Sequence, residues 1–398
     1  MKQYLFASIL SVIISLSPLS LAGSEDIASP ADTTCDVPGA GPMTCTDFFF
    51  KGSLTHYWQG AAGGVRTNNA DRITGLYDLD MCYLVAADRC EDNQGDYFLL
   101  GLSSQMAFGN GISNSKVDSF FKINDGTKGY HDIYVDKAYA EFTAMDRLMT
   151  FNVGKIDMKD FFDNNAVANK YRDQFFAAPL VQSGNVPFPS NSLGVRAKCS
   201  PSDFWYIQAA VADGNANKRE MGFRTGFDGE SDMVVMAEVG FRPKLYDKQG
   251  NYRFMLWYED QNADYLDGSG RTKSNDLGYS MSFDQDLTER FTAFLRYGWA
   301  NDKVNKVEDF FSFGGQIKEP IKGRKDDVFA VGYANGLRSP YGLNSQDKRQ
   351  INLFETYYSI KVNKNMKISP NLQLIMNPGG LKSESPATVL GLRCRIKF

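Results

Sequence analysis

Val389-Leu390-Gly391-Leu392-Arg393-Cys394-Arg395-Ile396-Lys397-Phe398 decides how this chain is read, because it alternates apolar and cationic residues and closes on an aromatic. A strand sends successive side chains to opposite faces. Leu390, Leu392, Cys394, Ile396 and Phe398 therefore share one face, and Gly391, Arg393, Arg395 and Lys397 share the other. A soluble core rarely accepts three cations from one strand, since each unpaired buried charge costs several kcal/mol. A membrane barrel has room for both faces, one toward lipid and one toward a wet lumen. The stretch predicts an all-β fold, a transmembrane antiparallel β-barrel.

Working back from this strand, sixteen stretches have strand character and the length that a tilted membrane strand needs. The first eight lie near 48–58, 75–86, 97–108, 132–143, 147–155, 191–199, 203–213 and 232–243. The others lie near 251–260, 275–284, 289–301, 308–318, 325–336, 349–362, 367–377 and 386–398. The connections between them alternate long and short, the longest being 156–190. An outer-membrane barrel sorts its loops in this way, with long extracellular loops and short periplasmic turns, and an even strand count returns both termini to one side.

At the other end, Lys2, an apolar run from Tyr4 to Leu16 and Ser20-Leu21-Ala22 read as a secretory signal peptide. The run is shorter than the roughly 20 residues a spanning helix requires. The expected organisation is 1–22 signal peptide, 23–47 periplasmic N-terminal leader and 48–398 barrel. A mean hydropathy of -0.35 is compatible with a barrel, because lumen-facing residues pull the average down. The net charge of -4, from 43 basic and 47 acidic residues, argues against nucleic acid as a partner. With two histidines, His56 and His131, and no CxxC spacing, no metal or other cofactor is expected. Export permits disulfides. Cys35 with Cys45 and Cys82 with Cys90 are plausible local pairs, while Cys199 and Cys394 fall on lipid faces of distant strands and are expected to stay unpaired.

Candidate functional residues come from parity and from the longest loop. Trp58, Trp205 and Trp299 fall on lipid faces near strand ends, as interfacial girdles require. Trp257 points inward beside Arg253 and Glu259, where an indole could stack on a sugar. The 156–190 loop carries Asp157, Asp160, Asn164, Asn165, Asn169, Tyr171 and Arg172, interleaved with Phe161, Phe162, Phe175 and Phe176. Its aromatics need a surface to pack on, and the barrel interior is the nearest, so the loop is expected to fold inward and narrow the pore. Inward strand positions carry mixed charge, including Arg196, Arg296, Glu355, Arg393, Arg395 and Lys397. Mixed charge among amides and hydroxyls suits neutral polyhydroxyl solutes, whereas a single-sign ring would select ions.

The run Val153-Gly154-Lys155-Ile156-Asp157 with Phe161-Phe162, Asn164-Asn165, Tyr171, Phe175-Phe176 and Pro179-Leu180 resembles the loop region of carbohydrate-selective porins of the OprB family. Glu355-Thr356-Tyr357-Tyr358, Ile368-Ser369-Pro370-Asn371-Leu372-Gln373, Asn377-Pro378-Gly379-Gly380 and the final strand extend the resemblance. It implies a sixteen-stranded outer-membrane barrel that passes small carbohydrates by diffusion without catalysis. It also implies that barrel assembly machinery reads the last strand and Phe398 as an assembly signal. A general or anion-preferring diffusion porin is the alternative, motivated by the cations of the last strand. A barrel hydrolase would need His56 or His131 beside a nucleophile, and neither has such a context. A surface adhesin is a further reading, and oligomeric state, a homotrimer included, is open.

Overall fold

The computed structural model describes residues 48–398 apart from 65–69, 90–93, 113–115, 118, 130, 227–231, 342–348 and 381–384. The expected signal peptide and leader, with Cys35 and Cys45, lie outside the described residues, and so does Cys90.

Sixteen antiparallel strands run in chain order around one closed sheet. They are β1 Phe48–Ala62, β2 Asp71–Arg89, β3 Gln94–Phe108, β4 Ile133–Ala144, β5 Met149–Ile156, β6 Ser192–Ser202, β7 Trp205–Asp213 and β8 Met233–Phe241. The second half comprises β9 Lys248–Glu259, β10 Asp276–Asp286, β11 Phe291–Ala300, β12 Val307–Lys318, β13 Val328–Arg338, β14 Gln350–Lys361, β15 Met366–Met376 and β16 Ala387–Lys397. Each expected strand is present, with ends shifted by a few residues. β1 pairs with β16 from Ser53 opposite Lys397 to Ala62 opposite Thr388, so the sheet has no edge. Lipid offers unpaired backbone groups no water, and closure satisfies them. Two short strand pairs, Lys244–Leu245 with Lys248–Gln249 and Ala263–Asp264 with Thr272–Lys273, extend connections at opposite rims.

Strand parity sets the outer face. Phe98, Leu100 and Leu102 of β3 and Leu390 and Leu392 of β16 are exposed, while the residues between them are buried. Trp58 is exposed outward, and Trp299 stacks on outward Tyr279 with ring centroids 5.9 Å apart. Cys199 and Cys394 are free thiols. Cys82 is disulfide-bonded.

The interior contains two apolar clusters where the long connections meet the wall. In one, Phe121 and Ile123 of the 109–132 connection join Phe175 and Leu180 of the 157–191 connection against Phe294, Phe310, Leu353 and Ile375. In the other, Met158, Phe161 and Phe162 pack on Met236, Met255 and Trp257. The 157–191 loop folds inward as expected. The 109–132 connection also folds inward, which the sequence pattern did not indicate: Asn124 Nδ2 donates to Gln59 at 3.0 Å, and Gln373 Nε2 donates to the Ile123 carbonyl at 2.9 Å. Its apolar residues follow no strand or helix period, so periodicity could not place them.

At the seam, Phe398 N–H donates to the Gly52 carbonyl at 3.0 Å and Gly52 N–H returns the bond at 2.9 Å. The Phe398 ring lies over Gly52, in the space a side chain there would fill. Phe398→Ala removes this cover from the closing pair. We expect a several-fold loss of heat-modifiable barrel in outer-membrane fractions, and wild-type levels would contradict this role for the ring.

Candidate functional site

The 157–191 loop reaches the wall through one bend. Asp163 sits there with φ of 57°, in the left-handed region that few non-glycine residues adopt. Its carboxylate accepts from Ser183 N–H, Ser183 Oγ (3.1 Å) and Ser280 Oγ (3.3 Å), which ties the loop to itself and to β10. Arg296 of β11 places Nε 3.3 Å from the same carboxylate and donates from Nη2 to the Asp163 carbonyl at 3.0 Å. Both side chains are excluded from solvent. Breaking a buried pair of this kind typically costs about 3–5 kcal/mol, because the partner is stranded.

Farther along, Glu355 of β14 accepts from Phe176 N–H (2.6 Å), Ala177 N–H (2.9 Å) and Asn371 Nδ2 (2.7 Å). Arg393 of β16 donates to the carbonyls of Tyr171 and Gln174, both at 2.7 Å. Asp173 pairs with Arg395 and lies 3.5 Å from Lys397 and 3.9 Å from Lys367. Burial alone would raise the Asp173 carboxyl, but Arg395, Lys397 and Lys367 together hold it well below the usual carboxylate range. A depressed pKa of this kind stabilises the fold at neutral pH, and the contribution is lost only as pH falls below about 4.

Two ion pairs join the loop to the opposite wall. Arg172 grips Asp78 of β2 with Nε and Nη2 at 2.8 and 2.6 Å, and Lys137 of β4 reaches Asp160 at 2.8 Å. Asn164 accepts from Asn169 Nδ2 at 2.7 Å and donates to the Asp160 carbonyl at 3.0 Å. Asp157, Asp160, Asn164, Asn169, Tyr171 and Arg172 remain half-buried, so they keep contact with solvent. The Tyr171 ring lies between Arg172 and Lys128, each cation within 5 Å of its centroid (4.5 and 4.7 Å). Burial raises the Asp157 carboxyl, and neighbouring Asp160 adds to the effect.

Other expected candidates point inward but lie beneath the loop. Trp257 is 2% exposed, Arg196 1% and Arg296 0%. Arg196 donates to Gln208 and Asn152 and lies 4.5 Å over the Phe161 ring. These three support the loop, a correction to the expectation that they line open channel. Asn165 is likewise turned to the wall, donating to Ser282 Oγ at 3.2 Å. Glu259 is half-buried at the long-loop rim, opposite Asp276. The sequence shows Lys137 facing inward by strand parity, but it did not reveal Asp163 as the hub, Asp78 as a wall partner or the lysines of 109–132. Asp163 carried a signal, lying within the loop singled out, beside the aromatic pair Phe161-Phe162.

The closed sixteen-strand barrel matches what comparison finds. The family model for the carbohydrate-selective porins of the OprB family matches residues 96–398. This chain belongs to that family. Among curated relatives it is 23% identical to Porin B of Pseudomonas aeruginosa over 53% of this chain and 56% of that protein. It is 19% identical to Porin AaxA of Chlamydia abortus over 63% of this chain and 54% of that protein. The chain thus spans about half the length of the curated relatives it matches. Its fold superposes on the high-pH structure of OprB from Pseudomonas putida with a TM-score of 0.76 at 17% identity, covering 88% of this chain and 94% of that one. The family places the barrel in the bacterial outer membrane.

The tethers make separable predictions. Glu355→Gln replaces the acceptor of two backbone N–H groups, bonds worth about 1.5–3 kcal/mol each when the acceptor is charged. Gly332 of β13 leaves room for Phe175 and Leu180, whose atoms would lie 2.9 and 3.0 Å from an added Cβ. Glu355→Gln and Gly332→Leu should each raise mean single-channel conductance in planar bilayers and add flicker. Unchanged traces from both would show that the loop does not narrow the pore.

Proposed function

We propose that this OprB-family chain is a passive channel for saccharides across the outer membrane. The observation that carries this reading is the eyelet itself. Asp160 and Arg172 are each paired one-to-one with a wall residue, and Asn164 and Asn169 present amides between them. Such a lining offers hydrogen bonds to hydroxyls while presenting no single-sign ring. Diffusion through it needs no chemistry. His56 lies on the outer face against Tyr77 and Phe108, away from the lumen, and His131 is exposed on a loop. Neither is set up as a base for a lumenal nucleophile.

The cations of the last strand originally favoured an anion-preferring general porin. Arg393 and Arg395 are instead engaged by loop carbonyls and by Asp173, so that strand alone is a weak argument for it. Export by the 1–22 signal peptide, delivery by barrel assembly machinery reading the final strand, and assembly into a homotrimer within the outer-membrane lipid complete the proposal.

Liposome swelling tests the reading. Vesicles with reconstituted protein should swell in monosaccharides and disaccharides, with the rate falling steeply as sugar size increases. A rate near that of protein-free vesicles for every sugar would contradict it.

A further inference from the structure

Three external connections bring lysines to one place in the outer half of the lumen. Lys122 and Lys128 come from 109–132, Lys159 from 157–191 and Lys218 from the connection after β7. All four act on the carboxylate of Asp125. Lys122 lies 3.7 Å from it and Lys128 4.0 Å. Lys218 is held 2.9 Å from Asp136. Lys159 has no carboxylate partner among the described residues, and its ammonium lies 5.9 Å over the Phe188 ring.

The charge count here does not balance. Four lysines face three carboxylates, Asp125, Asp136 and Asp157. The ion pairs just below, Lys137 with Asp160 and Arg172 with Asp78, cancel one-for-one. Burial and the neighbouring Asp160 raise the Asp157 carboxyl, and burial lowers the Lys128 ammonium against the pull of Asp125. Burial, together with Lys159 and Lys218, lowers the Lys122 ammonium, as expected where cations crowd. Lys122 nevertheless keeps 38% of its side chain exposed, so the surplus faces solution. At the other end, the Asp173 carboxylate faces three cations, Arg395, Lys397 and Lys367. The path is therefore cationic at both ends and balanced in the middle. Low-dielectric walls focus such a field on passing solutes.

We propose that the channel favours saccharides carrying one anionic group, a carboxylate or a phosphate, drawn in by Lys122, Lys128 and Lys159. This rests on the saccharide-channel reading and names its substrate class. The anionic group meets the lysine cluster first, while the hydroxyls pass to Asn164 and Asn169. The excess charge raises local concentration and rate, and no tight complex is required.

Tracer uptake into proteoliposomes tests the proposal, with glucose, glucuronate and glucose 6-phosphate compared at low salt and at about 1 M, where the Debye length falls to about 3 Å. Wild-type protein should pass the two anions several-fold faster relative to glucose at low salt than at high salt. In the K122Q/K128Q/K159Q variant the anion-to-glucose ratio should fall at low salt and lose most of its salt dependence. If that variant lacks a heat-modifiable barrel, the single variant Lys159→Gln breaks no ion pair and should move the ratio in the same direction. An advantage for only one anion assigns the cluster to that group. Equal ratios in wild type and variants at low salt would overturn the proposal. Absence of glucose uptake in every case would instead strike the saccharide-channel reading.

Discussion

The structure inside this barrel depends on Asp163. Its carboxylate is buried against Arg296 and both ends of the loop's turn, and its backbone accepts a left-handed conformation to reach them. A carboxylate of this kind is unfavourable in an apolar interior unless every lone pair is met. Ser183 and Ser280 donate to it and Arg296 supplies the opposite charge, all together only when the loop lies against β10 and β11. Fixing that bend places Phe161 and Phe162 on one wall and Phe175 and Leu180 on the other. The polar hub supplies the geometry, and the apolar clusters supply most of the gain, at about 25 cal/mol per Å² removed from water.

The loop divides the interior into two kinds of space. Behind it, side chains are shut off from solvent, and Arg196, Arg296 and Trp257 belong there. On the loop itself, Asp160, Asn164, Asn169 and Arg172 remain half-buried. Inward strand parity therefore does not by itself give an inward residue access to solvent, because the loop covers part of the wall.

The fold was legible because its signals are local. Period-two alternation, turn residues and loop-length parity each act within one or two strands, so Leu390, Leu392 and Trp58 could be assigned to lipid without knowing their neighbours. The final strand likewise announced Arg393 and Arg395 as inward. What covers an inward residue is not local. Trp257 was read correctly for direction, yet its burial depends on Met158 and Phe162, about a hundred residues earlier in the chain. The Lys122 and Lys128 cluster was invisible for the same reason, since 109–132 has no periodic pattern and its partners come from other loops.

The central claim, that the 157–191 loop is held against the inner wall at its Asp163 bend, is tested most directly by a cross-link. Ser183 Oγ and Ser280 Oγ lie 2.8 Å apart, one on the loop and one on β10. A disulfide needs sulfurs about 2.05 Å apart, within reach of small adjustments. In a background with Cys199→Ser and Cys394→Ser, Ser183→Cys and Ser280→Cys together should oxidise spontaneously in the folded, membrane-inserted barrel, and mass spectrometry should recover the linked peptides in high yield. Two thiols that remain free and reactive toward a small permeant reagent under the same conditions would contradict the account.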